Sequence, residues 1–146
     1  MILLLIGWLH LGLVVDTTPD LGTMRLKVDA LSEESGCIRI AIYDEAEQLD
    51  DQGAEVLGRI IKVESLDDVD LSFEDIPFGE YGVAVYHDVN DNNRLDKSAL
   101  GIPVEPYAFS NNPKVKWKAP KYKDIKFHFS KDQQEVNVVL KKWSEY

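Results

Sequence analysis

The chain has 146 residues, 45% of them hydrophobic, and carries 26 Asp and Glu against 16 Lys and Arg, for a formal charge of -10. One domain fits this length and two do not fit comfortably; the apolar share supports a packed core, and the acidic balance argues against nucleic acid or an anionic membrane surface as partner. The single cysteine, Cys37, excludes an internal disulfide, a paired-cysteine redox motif and a cysteine-based zinc site.

The run from Ile2 to Val15 (ILLLIGWLHLGLVV) has no charged residue. It has the length of a signal-peptide apolar region and is too short for a helix to span a bilayer. No Lys or Arg precedes it, no small-x-small cleavage site is evident near Val15, and no lipobox cysteine follows. Residues 1–20 are expected to be a signal peptide and linker, so the mature protein is expected in the periplasm or secreted, with no membrane span. Asp16 to Gly22 (DTTPDLG) is polar and punctuated by Pro and Gly, as a linker is.

From Met24 the period is two. Met24, Leu26 and Val28 alternate with Arg25, Lys27 and Asp29, the pattern of a half-buried strand. Ile38, Ile40 and Ile42 alternate with Cys37, Arg39, Ala41 and Tyr43. This register puts Ile40 inside and Arg39 outside, so Ile40→Ala should cost about 2 to 5 kcal/mol and Arg39→Ala under about 1. Asp44 to Val56 is acidic and reads as one short helix or a long loop. Strands follow at Ile60–Val63, Val69–Glu74 and Tyr81–Tyr86. The last two flank a tight turn, Ile76–Tyr81, in which Pro77 presets φ and Gly79 accepts a positive one. Pro103, Pro106, Pro113 and Pro120 mark irregular chain. Ile125, Phe127 and Phe129 alternate as a sixth strand, and Val136, Val138 and Leu140 as a seventh. About seven strands with regular turns and no βα alternation predict an all-β fold, a single antiparallel β-sandwich over residues 24–141.

The polar loop after the fifth strand carries the one chemical lead. Asp88, Asn90, Asn92 and Asp96 stand at positions one, three, five and nine, the ligand spacing of calcium loops, with the Arg94 carbonyl at position seven. Asn93 replaces the usual Gly at position six, and Asn tolerates the left-handed backbone needed there. The bidentate Glu of a full loop would fall at Ala99, which cannot ligate; Glu105 is the nearest later acid. Such a loop would bind calcium weakly. The competing reading is a connection whose Asn and Asp side chains bond their own backbone.

Other signals are structural first. His87 lies at a strand end, His128 on a polar strand face, and Cys37 within a strand. Tyr107, Trp117 and Tyr122 read as loop aromatics, able to stack on a sugar or peptide if exposed. Ser110 is not in a G-x-S-x-G elbow, and no Walker loop, dinucleotide fingerprint or HExxH occurs. No catalytic residue is assigned. The expected function is a non-catalytic binding or accessory domain with a protein or glycan ligand. A carbohydrate-binding module is the alternative. A hydrolase using His87 with Asp88, Asp96 or Glu105 ranks behind both.

Ile76 to Asn112 also resembles the signature of a bacterial domain-of-unknown-function family, number 2141. Pro77, Gly79 and Tyr81 match its P-x-G-x-Y turn. His87, Asp88, Asn90, Asn92 and Asp96 match its H-D-x-N-x-N-G-x-x-D loop. Gly101, Ile102, Pro103, Glu105, Tyr107, Phe109, Ser110, Asn111 and Asn112 match G-I-P-x-E-x-Y-x-F-S-N-N, and Pro120, Tyr122, Asp124 and Phe127 match a final block. Asn93 and Ile125 depart from it, standing for the usual Gly and Ala. The resemblance covers about residues 24–141. It implies an exported sandwich similar to transthyretin-like or carboxypeptidase-regulatory-like domains, and it supplies no activity.

Overall fold

The computed structural model describes residues 20–45, 55–114 and 118–146. The expected signal peptide, most of the Asp44–Val56 segment and Trp117 lie outside them. Among the described residues eight strands form: β1 (Leu21–Asp29), β2 (Cys37–Tyr43), β3 (Leu57–Lys62), β4 (Val69–Pro77), β5 (Gly79–Asp88), β6 (Tyr107–Phe109), β7 (Phe127–Phe129) and β8 (Gln134–Val139). A one-turn helix, α1 (Tyr122–Ile125), precedes β7, and a 3-10 turn spans Trp143–Glu145.

Two sheets pack as an all-β sandwich. One has the order β4-β1-β8; the other runs β3-β2-β5-β6, with β7 pairing the start of β5. The alternation read from sequence is the packing. Met24, Leu26 and Val28 of β1 face Ile38, Ile40 and Ile42 of β2 across a core that also holds Val83, Val85, Phe129, Val136 and Val138. Each such side chain stabilises the fold by about 1.5 to 3 kcal/mol through area removed from water.

Four expectations need correction. The sandwich is not wholly antiparallel, because β8 runs parallel to β1, with Leu26 opposite Val136. Alternation fixes which face is buried and says nothing about strand direction. Tyr107–Phe109, read as irregular, is a strand paired with Ala84–Tyr86; three residues between prolines are too few to show a period. Ile125 is not on a strand. It ends α1 and is fully buried, and its place two residues before Phe127 only imitates period two. Gly79 needs no positive φ: the left-handed residue is Asp75 (φ 57), where the register of β4 slips against β1 between Gly22 and Met24.

Pro77–Gly79 also does not close a hairpin. It carries the chain from one sheet to the other, since β4 and β5 lie in different sheets. Tyr81 explains the motif: its hydroxyl donates to the Pro77 carbonyl at 2.9 Å and closes the corner. Phe129 meets the Phe78 and Tyr81 rings edge-on at 5.3 and 6.3 Å.

Candidate functional site

The outer face of the larger sheet is covered at both ends. At one end α1 lies on Gly82, where an added Cβ would come within 2.9 Å of Ile125. At the other, the chain leaves β5 at Asp88 and folds the 88–105 loop.

Asp88 is the hub of that loop. Its side chain is fully buried. One oxygen accepts from Arg39 Nε at 2.5 Å and from the Asn93 N–H at 2.8 Å; the other accepts from the Asn92 N–H at 2.9 Å. Burial alone would raise its pKa, but Arg39 and the two backbone donors outweigh it and hold the carboxyl below its ordinary value. Arg39 was expected outside with little consequence. It does face outward, yet its side chain is only 11% exposed, spent on Asp88 and, through Nη2, on Asp91 at 2.9 Å. Alternation sees the face of a strand and not a partner 49 residues away.

Beyond Asp88 the loop bonds itself. Asn90 and Asn92 side-chain oxygens accept from the N–H two residues on, of Asn92 at 3.2 Å and Arg94 at 3.1 Å. Their amide nitrogens both donate to Asp96, at 2.7 Å from Asn90 and 2.9 Å from Asn92. The Asn92 and Asn90 side chains thereby hold the Asp96 carboxyl below its usual value. Asn93 adopts the left-handed backbone expected of it (φ 67), and Asp91 does too (φ 56). The structure thus brings Asp88, Asn90, Asn92 and Asp96 into one loop. Among the described residues no three His, Cys, Asp or Glu side chains stand together to hold a metal, although a calcium loop also draws on amide and carbonyl oxygens.

Glu105 ties the loop's two ends. Buried to 5% exposure, it accepts the Val89 N–H at 2.9 Å through one oxygen and the Asp96 N–H at 2.9 Å through the other. Three further signature residues, Ser110, Asn111 and Asn112, also bond backbone groups through their side chains. Ser110, fully buried, accepts the Val83 N–H at 2.8 Å and donates to the Ile125 carbonyl. Asn111 donates to the Lys126 carbonyl at 2.8 Å. Asn112 donates to the Asn137 carbonyl at 3.0 Å and accepts the Val139 N–H at 2.9 Å. Serine and asparagine side chains here satisfy backbone groups that no strand partner reaches. Sequence reasoning missed this role. The signal was the run Ser110-Asn111-Asn112 directly after an apolar stretch.

His87 is fully buried, with Nε2 2.7 Å from the Ser35 carbonyl, which makes Nε2–H the donor; Nδ1 has no partner among the described residues. Cys37 is half-buried, and burial, then Asp91, push its thiol up, away from the reactive thiolate. His128 is exposed.

Of the three loop aromatics, Tyr107 and Tyr122 are described, and neither stands as an exposed loop ring. Tyr107 is in β6, 7% exposed and stacked on Tyr146 with centroids 5.0 Å apart. Tyr122 sits in α1 with its hydroxyl donating to the Glu80 carbonyl at 3.2 Å; burial, with Glu80 and other neighbours, pushes that phenol up to about 12.

No curated protein and no solved structure matches the chain. The model of the family described as uncharacterized protein conserved in bacteria (DUF2141) matches residues 26–137, and the chain belongs to that family.

Proposed function

We propose that this protein is a non-catalytic β-sandwich binding or accessory domain that works outside the cytoplasm, its 88–105 loop serving as a stiff element and not as a reacting centre. One observation carries the reading. The groups that acid–base or nucleophilic chemistry would draw on, His87, Asp88, Ser110 and Glu105, are all buried and hydrogen-bonded to the chain's own backbone or to Arg39. A catalytic group must reach substrate. The apolar run before Asp16 supports export. The test is a panel of chromogenic esters, phosphates and glycosides. Turnover that His87→Gln abolishes would overturn the reading. Fractionation of a bacterial host should find the chain outside the cytoplasm, and removing residues 1–20 should retain it inside.

A second reading of the same loop is a weak calcium site. It is favoured by the convergence of Asn90 and Asn92 on Asp96. Calcium would have to compete with Arg39 for Asp88 and with two amides for Asp96. A thermal melt in chelator and in calcium separates the two readings. The carbohydrate alternative has no such support, since Tyr107 is buried.

A further inference from the structure

A cleft of about 380 Å³ opens beside the loop, between the turn at 97–103, β6 and the residues around Pro120. That volume is near the lower end of small-ligand sites, about 300 to 1,000 Å³. Leu95, Ile102, Pro103, Phe109 and Ala119 give it apolar walls, and the Tyr107 and Trp143 rings also line it. Leu100 stands at its mouth, 86% exposed, the most exposed large hydrophobic side chain among the described residues. The turn that presents Leu100 is built and not loose: Lys97 bridges Pro103, the Gly101 N–H donates to the Ser98 carbonyl at 2.9 Å, and Gly101 holds φ 76.

Charge makes the cleft selective. Among the described residues, the charged ones that line it are Lys97 and Lys118, in a chain with 26 acids against 16 bases. Neither lysine has an ion pair among the described residues. The neighbouring acids are withdrawn, Asp96 onto Asn90 and Asn92 and Glu105 onto two backbone N–H groups. Among the described residues, what faces the cleft is therefore apolar surface with two cations that have no ion pair.

We propose that this cleft binds a small amphiphilic carboxylate, its head between Lys97 and Lys118 and its apolar body against Leu95, Ile102 and Phe109 under Leu100. The proposal rests on the binding-domain reading above and names the ligand class. A neutral molecule would leave both ammonium groups unpaired, and a purely polar anion would leave the apolar walls uncovered. Exposed ion pairs are each worth a few-fold in affinity, so both lysines together contribute about 5- to 20-fold.

The full chain, labelled with nitrogen-15, is titrated with octanoate, octanol and acetate and followed by NMR. Octanoate should shift the amides of Leu100, Gly101, Ile102 and Phe109, and should bind more weakly as salt rises. Acetate should shift none of them. The double variant Lys97→Gln/Lys118→Gln should weaken octanoate about 5- to 20-fold and leave octanol unchanged, while Leu100→Asp should weaken both. All three side chains are exposed, and unchanged melts would verify that each variant is folded. No octanoate shifts at the cleft, shifts confined elsewhere, or an unaffected lysine variant would overturn the proposal and leave the non-catalytic reading to its own test. Hydrolysis of an octanoyl ester lost in the Leu100 variant would do the reverse, keeping the site and overturning the non-catalytic reading.

Discussion

Replacing Asp88 with alanine removes the acceptor on which the 88–105 loop is hung. Arg39 Nε loses its partner and keeps only Asp91, which is 61% exposed and a poor substitute. The Asn93 N–H loses its acceptor as well, and the Asn92 N–H keeps only the Asn90 side-chain oxygen at 3.2 Å. Breaking a buried ion pair costs about 3 to 5 kcal/mol because a charge is left behind. The orphaned Asn93 donor would add about 1 to 3 kcal/mol if it stayed dry. The terms overlap, since the freed loop lets water in, so about 3 to 5 kcal/mol is expected in all. With a urea slope near 2 kcal/mol/M, the midpoint should fall by roughly 1.5 to 2.5 M. Asp91→Ala, which removes only an exposed pair, should cost under about 1 kcal/mol. Glu105→Ala, which frees two backbone donors, should cost about 2 to 4. Urea melts of the three variants give the ranking Asp88, Glu105, Asp91. An Asp88 variant within 1 kcal/mol of the wild type would refute the hub.

Further outcomes follow from the same contacts. Gly36→Ala should cost about 2 to 5 kcal/mol by denaturant melt: Gly36 has φ 70, and a Cβ there would lie 1.9 Å from the Asp88 carbonyl oxygen, so the loop's root must move. Tyr81→Phe should cost about 1 kcal/mol in the same assay, the worth of one hydrogen bond to Pro77. Acid should weaken the fold. Asp88, Asp96 and Asp132 all have depressed folded-state pKa values. Their contribution is complete above the unfolded value of about 3.9 and is lost as pH falls through the lower folded values. Melts from pH 7 to 3 should show stability falling below about pH 4, and Asp88→Asn should flatten that limb.

The sandwich was legible because one face of nearly every strand is buried, and period two reports burial directly. Met24, Leu26, Val28, Ile38, Ile40 and Ile42 point inward as alternation requires. Strand direction was not legible, because β1 and β8 are joined by more than a hundred residues and their parallel pairing leaves no local trace. The loop was half legible. Spacing found Asp88, Asn90, Asn92 and Asp96 together, and Asn93 was correctly given a left-handed backbone. The partner that decides their chemistry, Arg39, lies on another strand in a position that reads as a solvated face. Glu105 was noticed as a spare acid, and only the fold shows it bridging Val89 and Asp96.

The most direct test of the central claim is a thermal melt of the full chain in chelator and in 10 mM calcium, a condition set by mass action at about ten times a dissociation constant near 1 mM. A loop already held by Arg39, two asparagines and its own backbone should show no change in Tm. A calcium site of that affinity would add about 1.4 kcal/mol, or roughly 3 to 6 °C. An upward shift of that size, abolished by Asp96→Ala and smaller with magnesium, would contradict the self-bonded loop and establish the cation site.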